Sequence, residues 1–127
     1  MKEQKIALVT GGSRGLGRDM VLRLAEKGID SVFTYHSNES AANEVVAAVE
    51  KMGQKAKAFQ LDTSQIQGFD EFFEQVAAYL NQEYDNPHFD FLVNNAGTGI
   101  YRPFAETTEA QFDEMMNVHF KGVYFLT

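Results

Sequence analysis

No cysteine and no tryptophan occur among the 127 residues, and there are only two prolines and three histidines. Without thiols the chain has no disulfide framework, no thiolate nucleophile and no Cys-ligated zinc or iron–sulfur centre, although this says little about redox compartment. His36, His88 and His119 are scattered, so no metal site is expected. Long apolar runs are also missing: the longest span a few residues, against the roughly 20 needed to cross a bilayer, so no membrane partner is expected. The first run, Ile6-Ala7-Leu8-Val9, is too short for the core of a signal peptide, which places the expected location in the cytoplasm. Basic residues are scarce beyond the first half. Residues 1–57 hold nine Lys/Arg against seven Asp/Glu, whereas residues 58–127 hold two against eleven. Binding to a phosphate backbone needs a basic face, so a nucleic-acid partner is disfavoured, while a small anionic ligand held by the N-terminal half is compatible with the charge.

What the sequence does contain is a globular composition, 44% hydrophobic and 23% charged, which excludes a disordered or fibrous chain. Its length suits one domain. Short apolar runs over residues 5–10, 31–35, 56–61 and 89–93 read as buried strands. Between them lie segments with helical periodicity. The first carries Leu16, Met20, Val21, Leu24 and Ala25 on one stripe and stops at Gly28. The second is capped by Asn38, presents Ala42, Val45, Val46, Val49 and Met52, and stops at Gly53. Phe69, Phe72, Phe73, Val76, Ala77 and Leu80 mark the clearest amphipathic helix. Thr108 and Gln111 fit a capping box opening a last helix with Phe112, Met115, Met116, His119 and Val123 on one face. Gly122 in that helix costs about 1 kcal/mol against Ala, which suggests close packing on a neighbour. Residues 99–104 are left as a loop that could approach a substrate.

Strands alternating with helices require right-handed crossovers and hence a parallel sheet covered on both faces. The expected fold class is α/β, a Rossmann-type doubly wound sheet of order 3-2-1-4. Residues 123–127, Val-Tyr-Phe-Leu-Thr, form an apolar helical turn with no stop signal. Residues 1–127 are therefore expected to be the N-terminal part of a longer single-domain protein, with the sheet incomplete on its C-terminal side.

Directly after the first strand comes Thr10-Gly11-Gly12-Ser13-Arg14-Gly15-Leu16-Gly17, opening the first helix. Glycines allow a sharp turn and close approach of a diphosphate, and the helix N-terminus favours its negative charge. A Gly-rich turn alone would be weak evidence, but strand, turn and helix occur here in the required order. In a 3-2-1-4 sheet the first and fourth strands adjoin at the topological switch point, where ligands bind at the strands' carboxyl ends. The fourth strand ends in Asn94-Asn95-Ala96-Gly97. One of the two asparagines reads as a tie between strand end and neighbours, and Asn95, Ala96 and Gly97 read as lining the crevice.

These segments carry a resemblance. The run TGGSRGLG is similar to the TGxxxGxG fingerprint of the short-chain dehydrogenase/reductase family, and NNAG at 94–97 matches another of its motifs. Leu61-Asp62-Thr63 resembles its adenine-pocket segment, and Met116-Asn117-Val118 resembles the site of its structural and catalytic asparagine. The resemblance spans the whole chain and lies nearest to 3-oxoacyl-carrier-protein reductase-like members. It implies an oxidoreductase acting on a small-molecule or acyl-carrier-bound carbonyl substrate, with Asn117 in the catalytic set. It further implies cofactor contacts at Gly11, Ser13, Arg14, Gly15, Leu16, Gly17, Tyr35, His36, Ser37, Asp62, Thr63, Asn95, Ala96 and Gly97. The family's Ser and its YxxxK pair are absent from this chain. The positions four after Tyr35, Tyr79, Tyr84 and Tyr101 hold Glu39, Glu83, His88 and Ala105, and the sequence given stops before one follows Tyr124. Residues 1–127 are accordingly expected to be inactive alone. The alternative is a non-catalytic dinucleotide-binding or regulatory module. A homo-oligomer, dimer or tetramer, is expected from the apolar face of the last helix.

An NAD site usually places Asp or Glu at the end of the second strand, where it accepts from both ribose hydroxyls. That position reads Thr34-Tyr35-His36-Ser37, without a carboxylate. Arg14 in the glycine loop can pair with a 2′-phosphate through its planar fork. NADP(H) is therefore expected over NAD(H). His36 and Ser37 are either phosphate contacts or ordinary polar loop residues. Asp62 either bonds the adenine edge or closes a local turn.

Overall fold

Four parallel strands, β1 (Ile6–Val9), β2 (Asp30–Tyr35), β3 (Ala56–Gln60) and β4 (Phe91–Val93), pair in the order β3-β2-β1-β4 in a computed structural model describing residues 3–97 and 104–127. The loop expected over 99–104 lies, but for Phe104, outside the described residues. Each connection runs through a helix: α1 (Gly15–Glu26), α2 (Glu39–Lys51) and α3 (Phe69–Tyr84). The doubly wound arrangement and its strand order follow the expectation.

Alternate residues of the central strands face opposite sides, which divides the core into two layers. Ala7, Val9 and Phe33 pack against Val21 and Ala25 of α1 and against Ala42, Val45 and Val49 of α2. Ile6, Leu8 and Val32 pack against Phe69, Phe72, Val76 and Leu80 of α3. The α3 stripe is core, as its spacing demands. Asn38 caps α2 by accepting from the Ala41 amide at 2.9 Å, and Gly28 and Gly53 end α1 and α2 with positive φ.

The amino end of the sheet is tied by one buried carboxylate. Asp30 accepts from Gln54 Nε2 at 2.7 Å and the Lys55 amide at 2.9 Å through Oδ1, and from the Tyr84 hydroxyl at 2.7 Å through Oδ2. Burial, followed by the bond to Asp30 and its charge, pushes the Tyr84 phenol well above its ordinary range.

Three expectations need correction. Leu16 and Met52 are exposed rather than on buried stripes. The buried line of α1 is Gly17, Val21 and Ala25, four residues apart, and Leu16 lies one position round from it in the first turn. Met52 falls one residue past the end of α2, where the helical phase no longer aims it at the sheet. The last helix is not one regular helix. α4 (Glu109–Met116), opened by the expected Thr108/Gln111 capping box, runs into a π-helical segment, Asn117–Lys121, and then α5 (Gly122–Leu126). The Gly122 amide donates to the Asn117 carbonyl, a five-residue step that changes the phase of the helix. Gly122 thereby lies against the Thr63 carbonyl, the close approach that its lack of a side chain suggested. Phe112 and Met116 of the expected apolar face are exposed, as are Phe120, Tyr124 and Phe125 beyond it.

Candidate functional site

The carboxyl ends of β1, β2 and β4 meet around the loop that precedes α1. Thr10 and Thr34, both buried, fix that loop with their hydroxyls. Thr34 Oγ1 accepts from the Gly11 amide at 3.1 Å, and its carbonyl accepts from the Gly12 amide at 2.9 Å. Thr10 Oγ1 accepts from the amides of Asn95 and Ala96 at 3.0 and 2.9 Å, joining the end of β1 to the turn after β4. From the other side Asn95 Nδ2 donates to the carbonyls of Thr10 and Gly11 at 3.2 and 3.1 Å. Of the two asparagines, Asn95 is therefore the tie between strand ends, and it still reaches the crevice; Asn94 Nδ2 donates outward to Thr127 Oγ1 at 3.1 Å.

Gly11 and Gly17 show why this loop is built from glycine. Gly11 adopts φ +71°, which side-chain-bearing residues rarely do. At Gly17 a Cβ would collide with the Gly11 carbonyl and lie 2.5 Å from Asn95 Nδ2, so the start of α1 closes directly on the loop. The α1 N-terminus has no side-chain cap and no acidic residue in its first turn. Its leading amides and partial positive charge thus remain for an anion.

The loop and strand ends enclose an open crevice of about 380 Å³, within the roughly 300–1,000 Å³ usual for ligand sites. Gly11, Ser13, Arg14, Gly15, Tyr35, His36, Asp62, Thr63, Asn95, Ala96 and Gly97 all line it. Leu16, Gly17, Ser37 and Asn117 do not. Gly17 acts from behind the loop, Leu16 projects to solvent, and Asn117 stands half-buried at the start of the π-helical segment. Thr34, Leu61 and Val118, read from the sequence only as parts of motifs, also line the crevice, as do Ser64 and Glu114. The imidazole of His119 packs close to Gly97, within 2.6 Å of where a Cβ there would stand. Only the position of Thr10 and Thr34 at strand ends could have flagged them in the sequence; Glu114 arrives through the packing of α4 and Val118 through the π-helical segment after it.

Asp62 closes a local turn. Its Oδ1 accepts from the Ser64 amide at 2.9 Å and the Ser64 hydroxyl at 2.6 Å, while Oδ2 faces His36 Nε2 at 3.6 Å. Partial burial acts to raise its pKa, but the two bonds from Ser64 and the nearby imidazole outweigh it and hold the carboxyl below its ordinary value. Arg14, ahead of α1, has an exposed side chain directed at no partner among the described residues.

A parallel doubly wound sheet, a glycine loop feeding a helix N-terminus and a crevice at the β1/β4 switch point together define a nucleotide-binding α/β protein. The family model for the short chain dehydrogenases matches residues 5–127, and the chain belongs to that family. It is 33% identical over 122 residues to the hydroxynaphthalene reductase-like protein Arp2 of Metarhizium brunneum, covering 96% of this chain and 43% of that protein. Tetrahydroxynaphthalene reductase PfmaG of Pestalotiopsis fici is 34% identical over 122 residues, with 96% and 42% covered. Among solved structures it is similar to the landomycin C-6 ketoreductase LanV with bound NADP and rabelomycin: TM-score 0.92, 34% identity, 96% of this chain and 50% of that one. Other similar structures are complexes with NADP or NADPH. The chain spans about half the length, or less, of the proteins it matches.

Proposed function

We propose that residues 1–127 supply the cofactor-binding half of an NADP(H)-dependent oxidoreductase that reduces a carbonyl group. The observation that carries this reading is the crevice itself: glycine loop, uncapped α1 N-terminus and NNAG turn converge at the switch point, with Arg14 and His36 on its rim and no carboxylate at the end of β2. The chain's residues fit the cofactor. Close packing at Gly11 and Gly17 leaves the backbone accessible to a diphosphate, the first amides of α1 bind its oxygens, and Arg14 pairs with a 2′-phosphate. Asp62 and Thr63 border the adenosine end, and Asn95, Ala96 and Gly97 form the floor toward the reacting end. When bound, NADPH supplies a hydride to the carbonyl carbon. Proton delivery to the oxygen needs a Tyr and Lys spaced as YxxxK, which residues 1–127 lack. Asn117 is assigned to support that relay from the π-helical segment, a kind of bulge often found at functional sites.

The similarity to a tetrahydroxynaphthalene reductase and to a ketoreductase with bound rabelomycin, together with the family resemblance to 3-oxoacyl-carrier-protein reductases, supports a small-molecule or carrier-bound carbonyl compound as substrate. The open apolar face of Phe112, Met116, Phe120, Tyr124 and Phe125 supports a homo-oligomer.

Fluorescence titration with NADPH and NADH tests the reading. In the full natural chain NADPH binds more tightly, and Arg14→Ala weakens it about tenfold or more, the worth of a charge-assisted hydrogen bond, while NADH binding barely changes. Equal binding of both cofactors, or an Arg14→Ala variant that keeps the preference, overturns the NADP(H) assignment.

A further inference from the structure

Two carboxylates line the crevice among the described residues, and one of them is already engaged. Asp62 accepts both the amide and the hydroxyl of Ser64 through Oδ1 and faces His36 through Oδ2. Glu114 on α4 is the other, and its exposed carboxylate receives no hydrogen bond and no ion pair from a described residue. Nothing in the functional reading above uses it. An uncommitted acid in the wall of a crevice for a phosphorylated ligand is unfavourable against the phosphates, because like charges repel. It has to face a part of the ligand that donates a hydrogen bond.

The helix that carries Glu114 indicates which part that is. Glu114, Val118 and Gly122 follow one another at intervals of four through α4, the π-helical segment and the start of α5. Gly122 lies against the carbonyl of Thr63, so close that a Cβ would overlap it. Val118 lines the crevice one turn earlier, and Glu114 lines it one turn earlier again. This row starts beside Thr63, next to Asp62, and so belongs with the adenosine end rather than with the glycine loop. Adenine presents ring nitrogens that accept and one exocyclic amino group that donates. Residues four apart share a helix face, so Val118 and Glu114 can meet the same ring, one with an apolar surface and the other with a carboxylate.

We propose that Glu114 is a specificity-determining residue for the base of the cofactor: its carboxylate accepts from the 6-amino group of adenine, with Val118 against the face of the ring. The inference rests on the NADP(H) reading above, but it concerns the base and not the 2′-phosphate. A purine with a 6-oxo group sets an acceptor against an acceptor at this point, and a site built to bond one group disfavours the analogue that lacks it.

The reduced nicotinamide is fluorescent in NADPH, in NADH and in the hypoxanthine analogue of NADPH, which differs from NADPH only by oxygen in place of the 6-amino group. Titration of all three into the full natural chain, its Glu114→Gln variant and its Glu114→Ala variant tests the assignment. The unaltered protein binds NADPH about tenfold more tightly than the hypoxanthine analogue, the worth of one hydrogen bond to a charged group. In Glu114→Gln the two bind within about twofold of each other, since an amide can accept from an amino group or donate to an oxo group. In Glu114→Ala they also converge, because NADPH loses its partner. A substitution that merely disturbs α4 weakens all three dinucleotides together and leaves their ratios as they were; that result overturns the role of Glu114. Equal binding of NADPH and its hypoxanthine analogue by the unaltered protein overturns it too. In both cases a retained preference for NADPH over NADH keeps the NADP(H) reading, whereas equal binding of NADPH and NADH by the unaltered protein overturns that reading itself.

Discussion

Thr10 does more for the site than its place at the head of the glycine motif suggests. Its hydroxyl accepts from the amides of both Asn95 and Ala96 and so joins the β1 end to the turn after β4. Thr10→Val keeps the volume but leaves those two donors facing a methyl group. Each unmet donor in a half-buried place costs about 1–3 kcal/mol, so the urea midpoint of the variant falls and cofactor binding weakens with it. An unchanged midpoint would show that the strand ends are held by Asn95 Nδ2 alone. At this scale the glycines were legible in the sequence, because a strand-to-helix turn has few other ways to be built. The hydroxyl bonds were not: Thr10 and Ala96 are 86 positions apart in the chain, and nothing local to either names the other. The same distance effect left open which of the two asparagines makes the tie, and gave no sign that Val118 rather than Asn117 lines the crevice.

Among the elements, α3 is secured at both ends by different means. Its apolar stripe fills one layer of the core, and Tyr84 at its carboxyl end donates to buried Asp30 at the start of β2. Hydrogen bonds to a charged group are worth about 1.5–3 kcal/mol, and Tyr84→Phe destabilises the protein by that order at pH 7. The two proteins differ in their alkaline behaviour as well. Tyr84 has its folded-state pKa raised above the unfolded value of about 10. Its contribution is complete below pH 10 and is lost as pH climbs towards the folded value. Denaturant unfolding between pH 9 and 11 should therefore show the Phe variant losing less stability than the parent; parallel curves would remove Tyr84 from the account. Helices α2 and α3 were legible because periodicity, caps and stop signals agree over their whole length. The last helix was not, since its period breaks at the five-residue π step, after which Gly122 packs against the Thr63 carbonyl of a distant loop.

Across residues 1–127 as a whole, a crevice at the switch point stands beside a sequence in which no Tyr is followed four positions on by Lys. Residues 1–127 contain no YxxxK and so no Tyr whose proton a neighbouring Lys could mobilise. We expect purified 1–127 to show no reduction of a ketone substrate at enzymatic rates in the presence of NADPH, whatever its affinity for the cofactor; turnover by this segment would overturn the assignment of the chemistry to Tyr and Lys. The alternation of strands and helices that makes a parallel doubly wound sheet, and the glycine loop at a helix N-terminus, were already legible in the chain. These depend on alternation, helical spacing and turn chemistry, all of which act over a few residues. Folding alone settles that Asn95 ties two strand ends, that Asp62 faces His36, that Glu114 and Val118 reach the crevice, and that the apolar face of α4 and α5 stays open. Each of those depends on which distant segments are brought into contact, and the hydrogen bonds and packing that result have no local signature in the chain.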